Sequence, residues 1–111
     1  MGSTDSLLGA LELLVLKALE NGAMHGWGIT LHIQNVSNEV LRVEEGSLYP
    51  ALHRMEKAGW VKADWGLSEN NRRARFYKIT AAGRSQLRSE QEKWESVAQA
   101  IALVLRSKAL A

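Results

Sequence analysis

A mainly α-helical chain with one small β-hairpin is the fold class that the 111 residues predict. Three observations predict it. Apolar residues recur at three- and four-residue intervals in three segments ahead of Trp60, the pattern of helices that each bury one face. Between Trp60 and Ile79 the pattern shortens to alternation, interrupted by a polar stretch containing Asn70-Asn71, as in two strands joined by a turn. Beyond Thr80, apolar residues return every seven positions at Leu87, Trp94 and Ile101, the spacing of a helix that packs lengthwise against another.

The first helix carries Leu7, Leu8, Leu11, Leu14, Val15, Ala18 and Leu19 as its stripe. Asp5 or Ser6 is its expected cap, and Asn21-Gly22, residues that tolerate the left-handed conformation, its expected stop. A second helix is expected from Gly26 to about Val36, with Ile29, His32, Ile33 and Val36 on one face and Ser37-Asn38 as its break. Val40-Leu41-Arg42-Val43 is β-prone but too short for a sheet of its own, so it is expected to add a strand to the later hairpin. The third helix lies between Glu44 and Ala58, with Leu48, Leu52 and Met55 as its stripe and Gly59 as its stop. Proline is tolerated in the first helical turn, where its missing N–H has no partner to lose. Pro50 therefore places the start near Gly46 or Ser47. Strands Trp60–Trp65 and Arg73–Ile79 flank a Gly66–Arg72 loop, and Thr80 caps a long last helix beginning at Ala81. Trp27, Trp60 and Trp65 are expected to pack in the core or on the hairpin.

Composition narrows the function. An apolar content of 46% suits a folded domain. No apolar run approaches the roughly 18 residues that span a bilayer, and the first residues lack the basic and apolar regions of a secretory leader. The absence of cysteine excludes a disulfide framework and a thiol nucleophile, in keeping with a cytoplasmic setting. The net charge of +2 is unevenly spread. Residues 1–46 hold two Lys/Arg against six Asp/Glu, a balance of −4. Residues 47–78 hold seven against three, a balance of +4, and the remainder five against three, a balance of +2. A basic middle third is the footprint of a polyanionic partner or, more blandly, a solvated face.

The order helix, helix, short strand, helix, strand, strand, long helix is that of a winged helix-turn-helix, whose third helix enters the major groove of duplex DNA while the hairpin reaches the backbone or the minor groove. With Leu48, Leu52 and Met55 buried, Ser47, Pro50, Arg54 and Lys57 are expected on the opposite face, flanked by Tyr49 and His53. Arg and Lys suit guanine edges and phosphates, Ser and Tyr hydroxyls suit phosphates, and His suits either. In the hairpin, Arg72, Arg73, Arg75 and Lys78 lie within seven residues. Arginine forks onto phosphate and enters narrow minor grooves; alternation puts Arg75 and Lys78 on opposite faces of the strand. His25, His32 and His53 have no metal-ligand spacing, and there is no glycine-rich phosphate loop. Neither catalysis, a metal nor a cofactor is expected.

Three motifs resemble the PadR-like (phenolic-acid-response) transcriptional regulators. They are Glu45-Gly46-Ser47-Leu48-Tyr49-Pro50-Ala51-Leu52-His53-Arg54-Met55-Glu56, then His25-Gly26-Trp27-Gly28-Ile29, and Arg72-Arg73-Ala74-Arg75-Phe76-Tyr77-Lys78-Ile79-Thr80 followed by Gly83-Arg84. Position 27 departs from the pattern, since the family usually has tyrosine there. The resemblance runs from Leu7 to about Arg106 and is to the short branch with one C-terminal helix. It implies a homodimeric repressor on a roughly palindromic operator, released in many members by a ligand. Residues 1–80 would form the DNA-binding unit and residues 81–111 the dimerisation helix, with Leu87, Trp94, Ile101, Val104 and Leu105 as its seam. Trp94 falls where some short members hold a small planar aromatic effector, or it serves only as interface packing. A winged-helix module that binds an acidic partner protein and no operator is the alternative reading.

Overall fold

The computed structural model describes residues 9–108; Asp5, Ser6, Leu7 and Leu8 lie outside them. In chain order the elements are α1 (Leu11–Ala18), β1 (Met24–His25), α2 (Gly26–Val36), α3 (Glu45–Lys57), β2 (Val61–Leu67), β3 (Arg73–Ile79) and α4 (Ala81–Arg106). The strands form one antiparallel sheet in the order β1-β3-β2. Val61 is opposite Ile79 and Leu67 opposite Arg73, while Met24 is opposite Tyr77 and His25 opposite Phe76.

The core is where the predicted stripes converge. Val15, Leu16 and Leu19 from the α1 region, Ile29 from α2, Leu48, Leu52 and Met55 from α3, and Val61 from β2 have almost no solvent contact. Truncating such a leucine costs about 2–5 kcal/mol, because a cavity is added to the lost burial. Gly59 ends α3 in the left-handed conformation at φ +82°. Its N–H donates to the Glu56 carbonyl at 3.1 Å and that of Trp60 to the Met55 carbonyl at 2.9 Å, so two carbonyls at the helix end are satisfied. The same corner starts α4. Thr80 Oγ1 accepts from the Gly83 N–H at 3.0 Å and donates to the Gly59 carbonyl at 2.6 Å. A Cβ at Gly83 would run into the Trp60 carbonyl and approach Ile79 Cγ1 to 2.8 Å. Only glycine lets α4 lie this close to the sheet.

Several expectations are corrected. Val40–Val43 forms no strand: Asn38 and Glu39 both take left-handed φ values, 54° and 65°, and turn the chain away as it leaves α2. The Leu41 N–H bonds to Ser37 Oγ at 3.0 Å, Val43 sinks into the core, and Met24–His25 takes the open edge of β3. α1 ends without a left-handed residue at Asn21 or Gly22, closing through Glu20 N–H to the Lys17 carbonyl at 3.2 Å and Gly22 N–H to the Leu19 carbonyl at 3.3 Å. α3 begins at Glu45, so Pro50 is inside the helix and the Gly46 carbonyl has no helical donor. The hairpin strands extend to Leu67, leaving a tighter tip that turns on left-handed Asn71. Val36 and Trp27 are exposed, at 68% and 60%, whereas Trp60 packs on the core and Trp65, though 61% exposed, packs on the hairpin under Arg73 as expected.

Leu87 does not belong to a seam between chains. It is 2% exposed within a single chain and joins the core cluster with Ile79 and Leu16, so it has no surface to offer a second copy. From Glu92 onward no described residue of α4 is buried. The apolar stripe continues outward through Trp94, Ile101, Val104 and Leu105, which are 39%, 53%, 70% and 78% exposed. At about 1.5 Å per residue this arm accounts for much of the long dimension of a 62 × 27 × 23 Å molecule.

Candidate nucleic-acid interface

α3 buries Leu48, Ala51, Leu52 and Met55, and the helical period then fixes what faces outward. Pro50, His53 and Lys57 lie at the centre of the exposed face. Tyr49 stands on the flank nearer α2 and is 45% exposed, its ring lying against the start of that helix at Gly26. Ser47 is half-buried. Arg54 is turned toward α1, where its Nε donates to Glu12 Oε2 at 3.3 Å. The outward face is therefore centred nearer His53 than the expected line through Ser47, Pro50, Arg54 and Lys57.

The hairpin sorts its basic residues by face. Tyr77 and Ile79 are buried, so Arg73 and Arg75, four and two positions before Tyr77, share the face turned toward the helices. Lys78 lies on the opposite face with Phe76 and Ala74. The Arg73 guanidinium sits over the Trp65 ring, 4.7 Å from its centroid, an arrangement that attracts the cation to the ring face and limits the freedom of the side chain. Arg75 Nη2 donates to Glu56 Oε2 of α3 at 3.0 Å. Arg72 lies at the tip, where its N–H donates to Ser68 Oγ at 3.3 Å. Lys57, Arg72, Arg73 and Lys78 have no carboxylate partner among the described residues.

His25 ties these parts together. Its Nδ1 accepts from the Gly28 N–H at 3.0 Å and so caps α2. With Nδ1 accepting, the ring proton resides on Nε2, which donates to Glu69 Oε1 at the hairpin tip across 3.0 Å. This hydrogen bond is the main reason that the Glu69 carboxyl lies below its ordinary range. The ring also meets Phe76 edge-on, with centroids 5.2 Å apart. Between hairpin, α2 and α3 runs an open cleft of about 700 Å³ lined by Trp27, Tyr49, Trp65, Arg73 and Arg75. Burial raises the Tyr77 phenol above the ordinary tyrosine range, an effect that the nearby Arg75 opposes.

Four groups with a bearing on the site were not selected from the sequence. Trp65 supports Arg73, Glu56 holds Arg75, Glu12 holds Arg54, and His25 joins the hairpin tip to α2. Except for Trp65, eight positions from Arg73, their partners are far apart in the chain, and the two acids gave no local signal. His25 did, as a residue with a ring acceptor directly before a helix that opens on Gly26.

A compact helical core, a third helix with an outward polar face and a basic hairpin beside it define a winged helix-turn-helix protein. The sequence pattern of the PadR-like family of transcriptional regulators matches residues 15–89, and the chain belongs to that family. It is 32% identical over 92 residues to a transcriptional regulator of Mycobacterium tuberculosis, covering 83% of this chain and 82% of that one. Among solved structures it resembles a transcriptional regulator from Clostridium thermocellum, with a TM-score of 0.79, 30% identity and coverage of 88% and 95% of the two chains. A PadR-like transcriptional regulator from Bacillus cereus superimposes with a TM-score of 0.80 at 25% identity, covering 94% of this chain and 99% of that one. No helix among the described residues is long and apolar enough to cross a membrane.

Proposed function

We propose that this protein represses transcription in the cytoplasm by binding a roughly palindromic duplex operator as a homodimer. The observation that carries the reading is the set of cations without carboxylate partners among the described residues, Lys57 on α3 and Arg72 and Arg73 on the hairpin. α3, about 20 Å long by its rise, enters the major groove with His53 and Lys57 toward base edges. Pro50 shares that central face, while Ser47 and Tyr49 lie nearer the backbone. Arg72 and Arg73 reach phosphates or the adjacent minor groove, Lys78 approaches the backbone from the outer face, and Arg54 and Arg75 join once their carboxylates release them.

The exposed Trp94, Ile101, Val104 and Leu105 support pairing through α4, since a helix arm of this length gains its burial from a partner. Repression, and release by a small planar aromatic compound at Trp94, are what the family resemblance adds. Quenching of tryptophan fluorescence by planar dyes, lost in Trp94→Ala, would support that effector.

The test is fluorescence anisotropy with duplex DNA from upstream of the protein's own gene, titrated at two salt concentrations. Specific binding that weakens steeply with salt is expected, with Arg73→Ala binding more weakly and lowering the slope of log K against log salt by about one. Wild-type protein without preference for any duplex would instead favour the acidic-protein partner.

A further inference from the structure

Glu56 stands out as a carboxylate on the face proposed to meet a polyanion. It shares a concavity with His53, Lys57 and Arg75, and its Oε2 is 3.0 Å from Arg75 Nη2. Both side chains keep solvent access, 32% for Glu56 and 43% for Arg75, so the pair is neither sealed in the core nor free of it. Phosphate approaching this concavity meets a guanidinium already engaged and a negative charge behind it. Removing one hydrogen bond from Arg75 is worthwhile only where a new acceptor of good geometry replaces it, because exposed ion pairs are weak and exchange readily.

We propose that Glu56 restrains DNA affinity by holding Arg75 in an ion pair that must open before the guanidinium reaches a phosphate or base acceptor. This rests on the DNA-binding reading above. On a duplex that fits, α3 settles into the groove and Arg75 exchanges the Glu56 carboxylate for a phosphate or base acceptor. On a duplex that does not fit, Arg75 stays with Glu56 and contributes no counterion release. Opening the pair is a cost met at the fitting duplex and not at the other, so the carboxylate weakens binding most where Arg75 is released.

The test compares wild type, Glu56→Gln, Arg75→Ala and the double variant on two labelled duplexes of equal length and composition. One is the tightest-binding duplex from the upstream region and the other its scrambled counterpart, each titrated over a range of salt. Glu56→Gln should bind the preferred duplex up to about fivefold more tightly at low salt, the fold-change matching the roughly 1 kcal/mol upper range of an exposed ion pair. On the scrambled duplex the gain should be no larger, while the slope of log K against log salt should steepen there by up to about one unit as the freed Arg75 reaches phosphate. The gain should vanish in the double variant. Weaker binding of Glu56→Gln to both duplexes would overturn the proposal, showing Glu56 to be a strut that holds the hairpin against α3. Unchanged affinity for both duplexes would overturn it as well. Wild-type protein that prefers neither duplex would sink the DNA-binding reading itself, a result distinct from both.

Discussion

The two halves of α4 share one apolar stripe and meet opposite fates. Near its start, Gly83 and Leu87 are buried against the Trp60 carbonyl, Ile79 and the rest of the core. Further out, Trp94, Ile101, Val104 and Leu105 repeat the pattern and stay exposed. Periodicity thus identifies the face of a helix that seeks burial but not the partner that provides it. For the first turns that partner is the chain itself; for the outer turns it is a second copy, in the reading proposed above.

Substitutions along the stripe would sharpen or break this contrast. Leu87→Ala should cost about 2–5 kcal/mol, seen as a lowering of the chemical-denaturation midpoint relative to wild type at matched protein concentration. Little or no loss would mean that Leu87 is not a core residue. Thr80→Ala removes the cap of α4 and its tie to Gly59, and should cost about 0.5–2 kcal/mol in the same assay. Ile101→Glu should have the smallest effect on the single-chain fold, within about 0.5 kcal/mol as expected for an exposed site. It should nevertheless abolish the rise in Tm with protein concentration that a dimer shows by mass action. A wild-type Tm that is independent of concentration would leave the outer stripe without a partner.

Much of the fold was legible because its signals are local. α2 begins at Gly26 and ends at Val36 as expected, and Leu48, Leu52 and Met55 are buried as their spacing required. β3 matches residue for residue. β1 was not legible, since a two-residue strand has no periodicity and exists only because β3 offers an open edge. The start of α3 was misplaced by taking proline as a first-turn residue, whereas the packing of Leu48, Ala51 and Leu52 carries the helix through Pro50. At the candidate interface, residue type and face were partly readable. Pairing was not: Arg54 meets Glu12 across 42 positions and His25 meets Glu69 across 44. Charge counted along the chain overstates the free cations, because Arg54 and Arg75 spend theirs on carboxylates brought near by folding.

The paired reading of DNA by two winged units is tested most directly by hydroxyl-radical footprinting of the preferred upstream duplex with wild-type and Ile101→Glu proteins. Wild type should protect two patches on one side of the duplex, one helical turn or about 34 Å apart, and the variant should lose this joint protection at the same concentration. A single protected patch, identical for both proteins, would contradict the account.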